Sequence, residues 1–273
     1  MIHSQLSPPH RLAIDRFVVA CQADDRVVAA VLGGSYASGQ ADAFSDLDLA
    51  VITTDATFDD FFSAREGFMR VLGEALFLES FDSPITLFAI FDDGTEIELS
   101  IGRESQFDGI LIGPYAVLVD KRGILSGAVF MGTRPTEAEQ IETLRRLVYW
   151  FWHDVSHCVA AVGRGPLWWA LGQLEVLRRV CVELAHLQMD FAEAPSGYDK
   201  VNQAVPVDVL APLESTLCAL QREPMVQALR DIVRFYRRLA PDLATAHGLV
   251  YPAALDRIIS GHLDDLARGV RAS

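Results

Sequence analysis

The sequence predicts an α+β fold, with an N-terminal mixed sheet and flanking helices followed by a C-terminal helical bundle. Three observations predict it. Apolar and β-branched runs of strand length recur between residues 26 and 120. A two-faced hairpin pattern brackets Asp92-Asp93-Gly94-Thr95. From residue 139 onward only longer segments with helical spacing occur. The change of character falls in Met131-Gly132-Thr133-Arg134-Pro135-Thr136-Glu137, which reads as a linker and divides the chain into domains 1–131 and 132–273.

Element by element, Leu12 to Ala23 has the spacing of an amphipathic helix, with Pro8 and Pro9 before it. Arg26 to Leu32 is a continuous apolar run and reads as a buried strand, as does Leu47 to Thr53. Phe58 to Leu76 has helical spacing. Ile85 to Phe91 and Glu96 to Ile101 form the arms of the hairpin, and Val117 to Asp120 is a further short strand. In the second half, Pro135 and Thr136 can start a helix over Glu139 to Val162. Further helices are predicted over Leu167 to Met189, Val209 to Leu220, Met225 to Leu239 and Leu255 to Arg268.

The 273 residues are about half apolar, so a sizeable core can form. A net charge of -14 repels nucleic-acid backbones and tolerates cationic small molecules. No stretch approaches the ~20 apolar residues a membrane span needs. Met1 to His10 lacks the basic start and apolar segment of a signal peptide, and Cys21, Cys158, Cys181 and Cys218 form no CxxC pair. A cytoplasmic protein with free thiols is the expectation.

The chemistry concentrates in Gly33-Gly34-Ser35-Tyr36-Ala37-Ser38-Gly39 and in Ser45-Asp46-Leu47-Asp48. Gly33 and Gly34 end a buried strand, where glycine allows positive φ and close approach of a ligand. Successive N–H groups and the Ser35 hydroxyl can hold phosphate oxygens. Neither a Walker loop nor the dinucleotide fingerprint is present. Asp46 and Asp48, two apart in a strand, face one side, while Leu47, Leu49 and Val51 face the core. Paired carboxylates repel unless a cation lies between them, and magnesium takes carboxylate oxygens together with substrate phosphates. In Glu96 to Ile101 an acidic face alternates with an apolar one, so Glu96 or Glu98 could join the two aspartates.

Gly34-Ser35, ten intervening residues and Asp46-Leu47-Asp48 resemble the signature of the nucleotidyltransferase superfamily with the DNA polymerase β-like fold. Asp93-Gly94-Thr95-Glu96-Ile97-Glu98-Leu99-Ser100 resembles the third-carboxylate strand of that family, in a register that selects Glu98 over Glu96. The layout is similar to antibiotic nucleotidyltransferases, lincosamide enzymes first and aminoglycoside enzymes next. The likeness includes the Arg164-Gly165 corner between two long helices. It implies transfer of a nucleoside monophosphate, AMP from ATP in the simplest case, to a hydroxyl of a small molecule, with release of pyrophosphate. Asp46, Asp48 and Glu98 would be the catalytic residues and the ligands of one or two Mg²⁺, with Glu98 as base or third ligand. Gly34, Ser35 and, from the helical domain, Lys200 would bind the nucleotide. A homodimer is implied as well.

Two other functions fit the motifs less well. Nucleotidyltransferases that modify a protein target in toxin–antitoxin systems tend to be short single domains. A non-catalytic nucleotide-binding scaffold would not need the full acidic set. His153-Asp154-Val155-Ser156-His157 places two histidines on one helix face. Aspartate replaces the glutamate of zinc-dependent HExxH enzymes, and Met131 to Ala170 offers no clear third ligand. Ordinary helix contacts or a cleft-lining role are expected there rather than a zinc site.

Overall fold

The computed structural model describes residues 7–81, 83–106, 110–131, 134–199 and 201–269. The chain divides into two compact units, Met1–Thr133 and Arg134–Ser273. The first is mixed α and β and the second is helical, an α+β architecture.

The first unit opens with helix α1 (Pro8–Ala23). Both prolines lie inside its first turn, where the missing N–H costs nothing, and the Ser7 hydroxyl caps the turn by accepting from the His10 amide at 3.3 Å. Strand β1 (Val27–Leu32) follows. It is buried along its whole length because both its faces are covered: Val27, Ala30 and Leu32 join the main core, while Ala29 and Val31 join a smaller cluster with Ile52 and Leu125. The glycine segment forms the short helix α2 (Gly34–Ser38), and β2 (Leu47–Thr53) follows it.

The helical pattern expected over Phe58 to Leu76 resolves differently. Two short helices, α3 (Phe58–Ser63) and α4 (Arg65–Arg70), meet at Ala64, and the chain then enters strand β3 (Ala75–Glu79). Gly73 marks the change of direction, since a Cβ there would lie 2.9 Å from the Phe91 ring. The hairpin forms as expected between β4 (Thr86–Phe91) and β5 (Glu96–Arg103), with Gly94 at φ +82°. Strands β6 (Ile110–Ile112), β7 (Ala116–Asp120) and β8 (Val129–Met131) complete the unit, of which β6 and β8 pair in a separate two-stranded ribbon.

The main sheet has the order β3-β4-β5-β2-β1-β7. All its pairs are antiparallel except β2 with β5. Leu47, Leu49 and Val51 of β2 and Ile97, Leu99 and Ile101 of β5 point into one core together with Phe17, Phe61 and Met69. By alternation, Asp48 and Glu98 stand on the opposite face.

The second unit begins with α5 (Glu137–Arg164). Its start is a reciprocal capping box between Thr136 and Glu139, and it ends at Gly165, φ +100°. α6 (Leu167–Met189) spans the expected residues. α7 (Val201–Ala204) is a single turn, and α8 (Val207–Glu214), which contains Pro212, stops six residues short of the expected end. α9 (Arg222–Ala246) and α10 (Ala253–Ala267) follow. The core packs α5 against α6 and α9 around fully buried Phe151, Trp152 and Tyr236. The Tyr236 hydroxyl donates to the Val148 carbonyl at 2.7 Å. The four cysteines are free thiols, and no described helix is long and apolar enough to cross a membrane.

Candidate active site

The site grows from the turn that follows β1. Gly33 has extended backbone (φ -106°, ψ -157°), and its N–H donates to the Asp48 carbonyl at 2.7 Å, so the turn is sewn to β2. Gly34 has φ +57°, and a Cβ there would lie 1.7 Å from Asp48 Oδ2. Only glycine meets both the conformation and the close approach of the carboxylate. Gly39 ends α2 in the left-handed region at φ +75°, its N–H donating to the Ser35 carbonyl.

Tyr36 anchors this segment. It is 2 % exposed, its hydroxyl hydrogen-bonds His10 Nδ1 of α1, and the two rings meet edge-on at 5.5 Å. Burial lowers the His10 pKa, against the opposing pull of Asp93 and Asp46. With Tyr36 fixed inward, Ser35 is held beside the turn. Its Oγ is buried with no hydrogen-bond partner among the described residues. A buried hydroxyl without a partner is costly, and a ligand oxygen would satisfy it.

Between the turn and β2, the Asp42 carboxylate accepts from the Phe44 amide at 2.8 Å and from the Ser45 hydroxyl at 3.3 Å. That turn delivers exposed Asp46 to the residue before β2. Asp48 is half-buried and pairs in register with Glu98 of the parallel neighbour β5. Glu96 is exposed and takes Ile90 of β4 as its register partner. The pKa of Glu98 is raised, first by burial, then by the charges of Asp48 and Asp46. Asp46, Asp48 and Glu98 therefore share one electrostatic neighbourhood.

Tyr115, at the entrance to β7, carried no signal in the sequence. Its ring would lie 2.9 Å from a Cβ at Gly33, and its hydroxyl pKa is raised by burial and by Asp48. It walls the site beside Gly33. Lys200 lies outside the described residues.

The donor set fits magnesium: the hard carboxylate oxygens of Asp46, Asp48 and Glu98 in one electrostatic neighbourhood, and a buried Ser35 hydroxyl without a partner among the described residues. Among the described residues no three His, Cys, Asp or Glu side chains are already gathered as a ligand cage. Magnesium does not require one, since it commonly binds one or two carboxylates and completes its shell with water and substrate phosphates.

A family model described as streptomycin adenylyltransferase matches residues 11–266. No curated protein is similar enough in sequence to count as a relative. Among solved structures, the chain is similar to an aminoglycoside 6-adenyltransferase from Bacillus subtilis, with a TM-score of 0.43, 14% identity, and 96% of this chain and 98% of that chain covered. It is also similar to a STING-associated CdnE c-di-GMP synthase from Capnocytophaga granulosa (TM-score 0.31, 12% identity, 86% and 83% covered). A third is the CD-NTase CdnG of Bradyrhizobium diazoefficiens in complex with GTP (TM-score 0.27, 14% identity, 97% and 91% covered).

Proposed function

The chain belongs to the streptomycin adenylyltransferase family and is a nucleotidyltransferase using a nucleoside triphosphate; from that premise we propose that it transfers AMP from ATP, with magnesium, to a hydroxyl of an aminoglycoside antibiotic. The family's name favours an aminoglycoside over a lincosamide acceptor. The net charge of -14 suits either, since both are cationic.

The observation that carries the reading is the register pair Asp48 and Glu98, crowded by Asp46, beside a glycine turn that closes on Asp48. In the proposed reaction the acceptor oxygen bonds to the α-phosphorus, the bond from that phosphorus to the β-bridging oxygen breaks, and pyrophosphate leaves. Glu98 takes the hydroxyl proton. A carboxylate whose pKa is raised by burial and like charge is a better base at neutral pH than an ordinary glutamate. Asp46 and Asp48 would hold the magnesium, which neutralises triphosphate charge when bound. The Gly33-Gly34 turn and the Ser35 hydroxyl would orient the phosphates. Catalysis is assigned to the N-terminal unit and acceptor recognition and dimerisation to the helical unit.

The test is pyrophosphate release from ATP and magnesium across streptomycin, other aminoglycosides, lincosamides and no acceptor, with mass spectrometry of the antibiotic. The expected result is acceptor-dependent release and an antibiotic heavier by one AMP. Asp48→Asn should abolish both and leave the circular dichroism spectrum unchanged. Full activity in that variant, or labelling of protein with no antibiotic product, defeats the proposal.

A further inference from the structure

His153-Asp154-Val155-Ser156-His157 has no part in the reaction assigned above, yet its geometry in α5 is specific. The imidazoles of His153 and His157 stand side by side, ring centroids 4.3 Å apart and planes tilted by 34°. Both side chains are exposed. The Trp150 ring meets His153 edge-on at 4.8 Å, and Trp169 of α6 meets His157 edge-on at 6.1 Å. Two indoles therefore bracket the pair. Buried Trp152 and Val155, both 0 % exposed, fix the helix backbone beneath it.

Asp154 Oδ1 lies 3.0 Å from His153 Nδ1. A carboxylate accepts, so in the neutral imidazole this contact selects the tautomer with the proton on Nδ1 and the lone pair on Nε2. That is the tautomer a metal-ligating histidine adopts when a carboxylate supports it from behind.

We propose that His153 and His157 form a two-nitrogen chelate for a divalent transition ion of the zinc, nickel or copper class. Imidazole nitrogen suits these ions, whereas magnesium prefers hard oxygens, so this site and the carboxylates of the N-terminal unit take different metals. Metal–nitrogen bonds of about 2.0–2.1 Å put two imidazoles on one tetrahedral ion with centroids roughly 5 Å apart. From the 4.3 Å separation that is an opening of about an ångström, reached by χ rotation of two exposed side chains. Among the described residues no third His, Cys, Asp or Glu completes a cluster here. The remaining coordination positions fall to water or to a small donor ligand. The site is thus a surface chelate with open positions, distinct from an HExxH catalytic centre.

The test uses the full chain, stripped of metal, with magnesium in excess. Zinc is titrated by calorimetry, and copper by quenching of tryptophan fluorescence, since Trp150 touches His153. One equivalent should bind at micromolar concentration with partial quenching. His153→Gln and His157→Gln should each weaken binding at least tenfold, and together abolish it. Asp154→Ala, which keeps both ligands, should weaken it roughly 10–100-fold by freeing the tautomer. All variants should unfold at the wild-type temperature without metal, because the altered side chains are exposed or partly exposed. Absence of binding below millimolar metal, or binding and quenching that survive the double substitution, overturns the proposal.

Discussion

The closest approach in the site also provides its sharpest perturbation. Gly34 and Gly39 both lie in the left-handed region, at φ +57° and +75°. Alanine pays the same backbone penalty at either position, about 1–2 kcal/mol. The surroundings differ. A Cβ at position 39 meets nothing within 4 Å, whereas one at position 34 would sit 1.7 Å from Asp48 Oδ2 and 2.6 Å from its Cγ. Those distances are far inside van der Waals contact, so Asp48 must leave its rotamer, a further cost of about 0.5–1.5 kcal/mol. Gly39→Ala is expected to lose about 1–2 kcal/mol and keep its activity. Gly34→Ala should lose about 1.5–3.5 kcal/mol in all, lowering the melting temperature of its unit by several degrees. Because the carboxylate is displaced by an ångström or more, its kcat/KM should fall by about 10²-fold or beyond. The assay is a pair of thermal melts and a pair of pyrophosphate-release rates. Equal activity in the two variants would refute the argument that the turn exists to accommodate Asp48 at the reacting phosphate.

Glu98→Gln should lower kcat by roughly 10²–10⁴-fold, the usual worth of a general base, and should stabilise the substrate-free protein. The folded-state pKa of Glu98 is raised, so folding disfavours its ionised form. The penalty is absent below the ordinary glutamate pKa, grows as pH rises through the folded value and is complete above it. The melting-temperature gain should therefore be present at pH 7 and vanish in acid, and a pH-independent gain would contradict the assigned cause. In the helical unit, buried Arg178 donates from Nε to Thr216 Oγ1 at 2.9 Å and from Nη2 to the Thr216 carbonyl at 3.1 Å. Arg178→Met leaves that carbonyl, in a fully buried residue, without its donor and should cost about 1–3 kcal/mol by denaturant titration. A neutral result would mean that water replaces the guanidinium.

Local chemistry was legible wherever one segment carries its own signal. The continuous apolar run of β1 foretold a strand covered on both faces. The alternation of Glu98 against Leu99 set which face of β5 is polar, and Pro135-Thr136 marked where α5 begins. Periodicity misled between Phe58 and Leu76, because two short helices and the start of an edge strand in succession imitate one longer helix. Tyr36 and Tyr115 gave no warning, since an anchor and a wall are defined only by what they touch.

By itself, the sequence determined the kinds of group available: a glycine bend, two aspartates two residues apart at the start of a strand, and an acidic face on another strand. Only the tertiary structure decided that β5 lies parallel beside β2, which puts the Glu98 selected by the family likeness opposite Asp48, and that Asp48 closes on Gly34. The reason is physical. Side-chain direction along a strand is a local property with a period of two, whereas strand order and register are set by burial summed over the whole sheet.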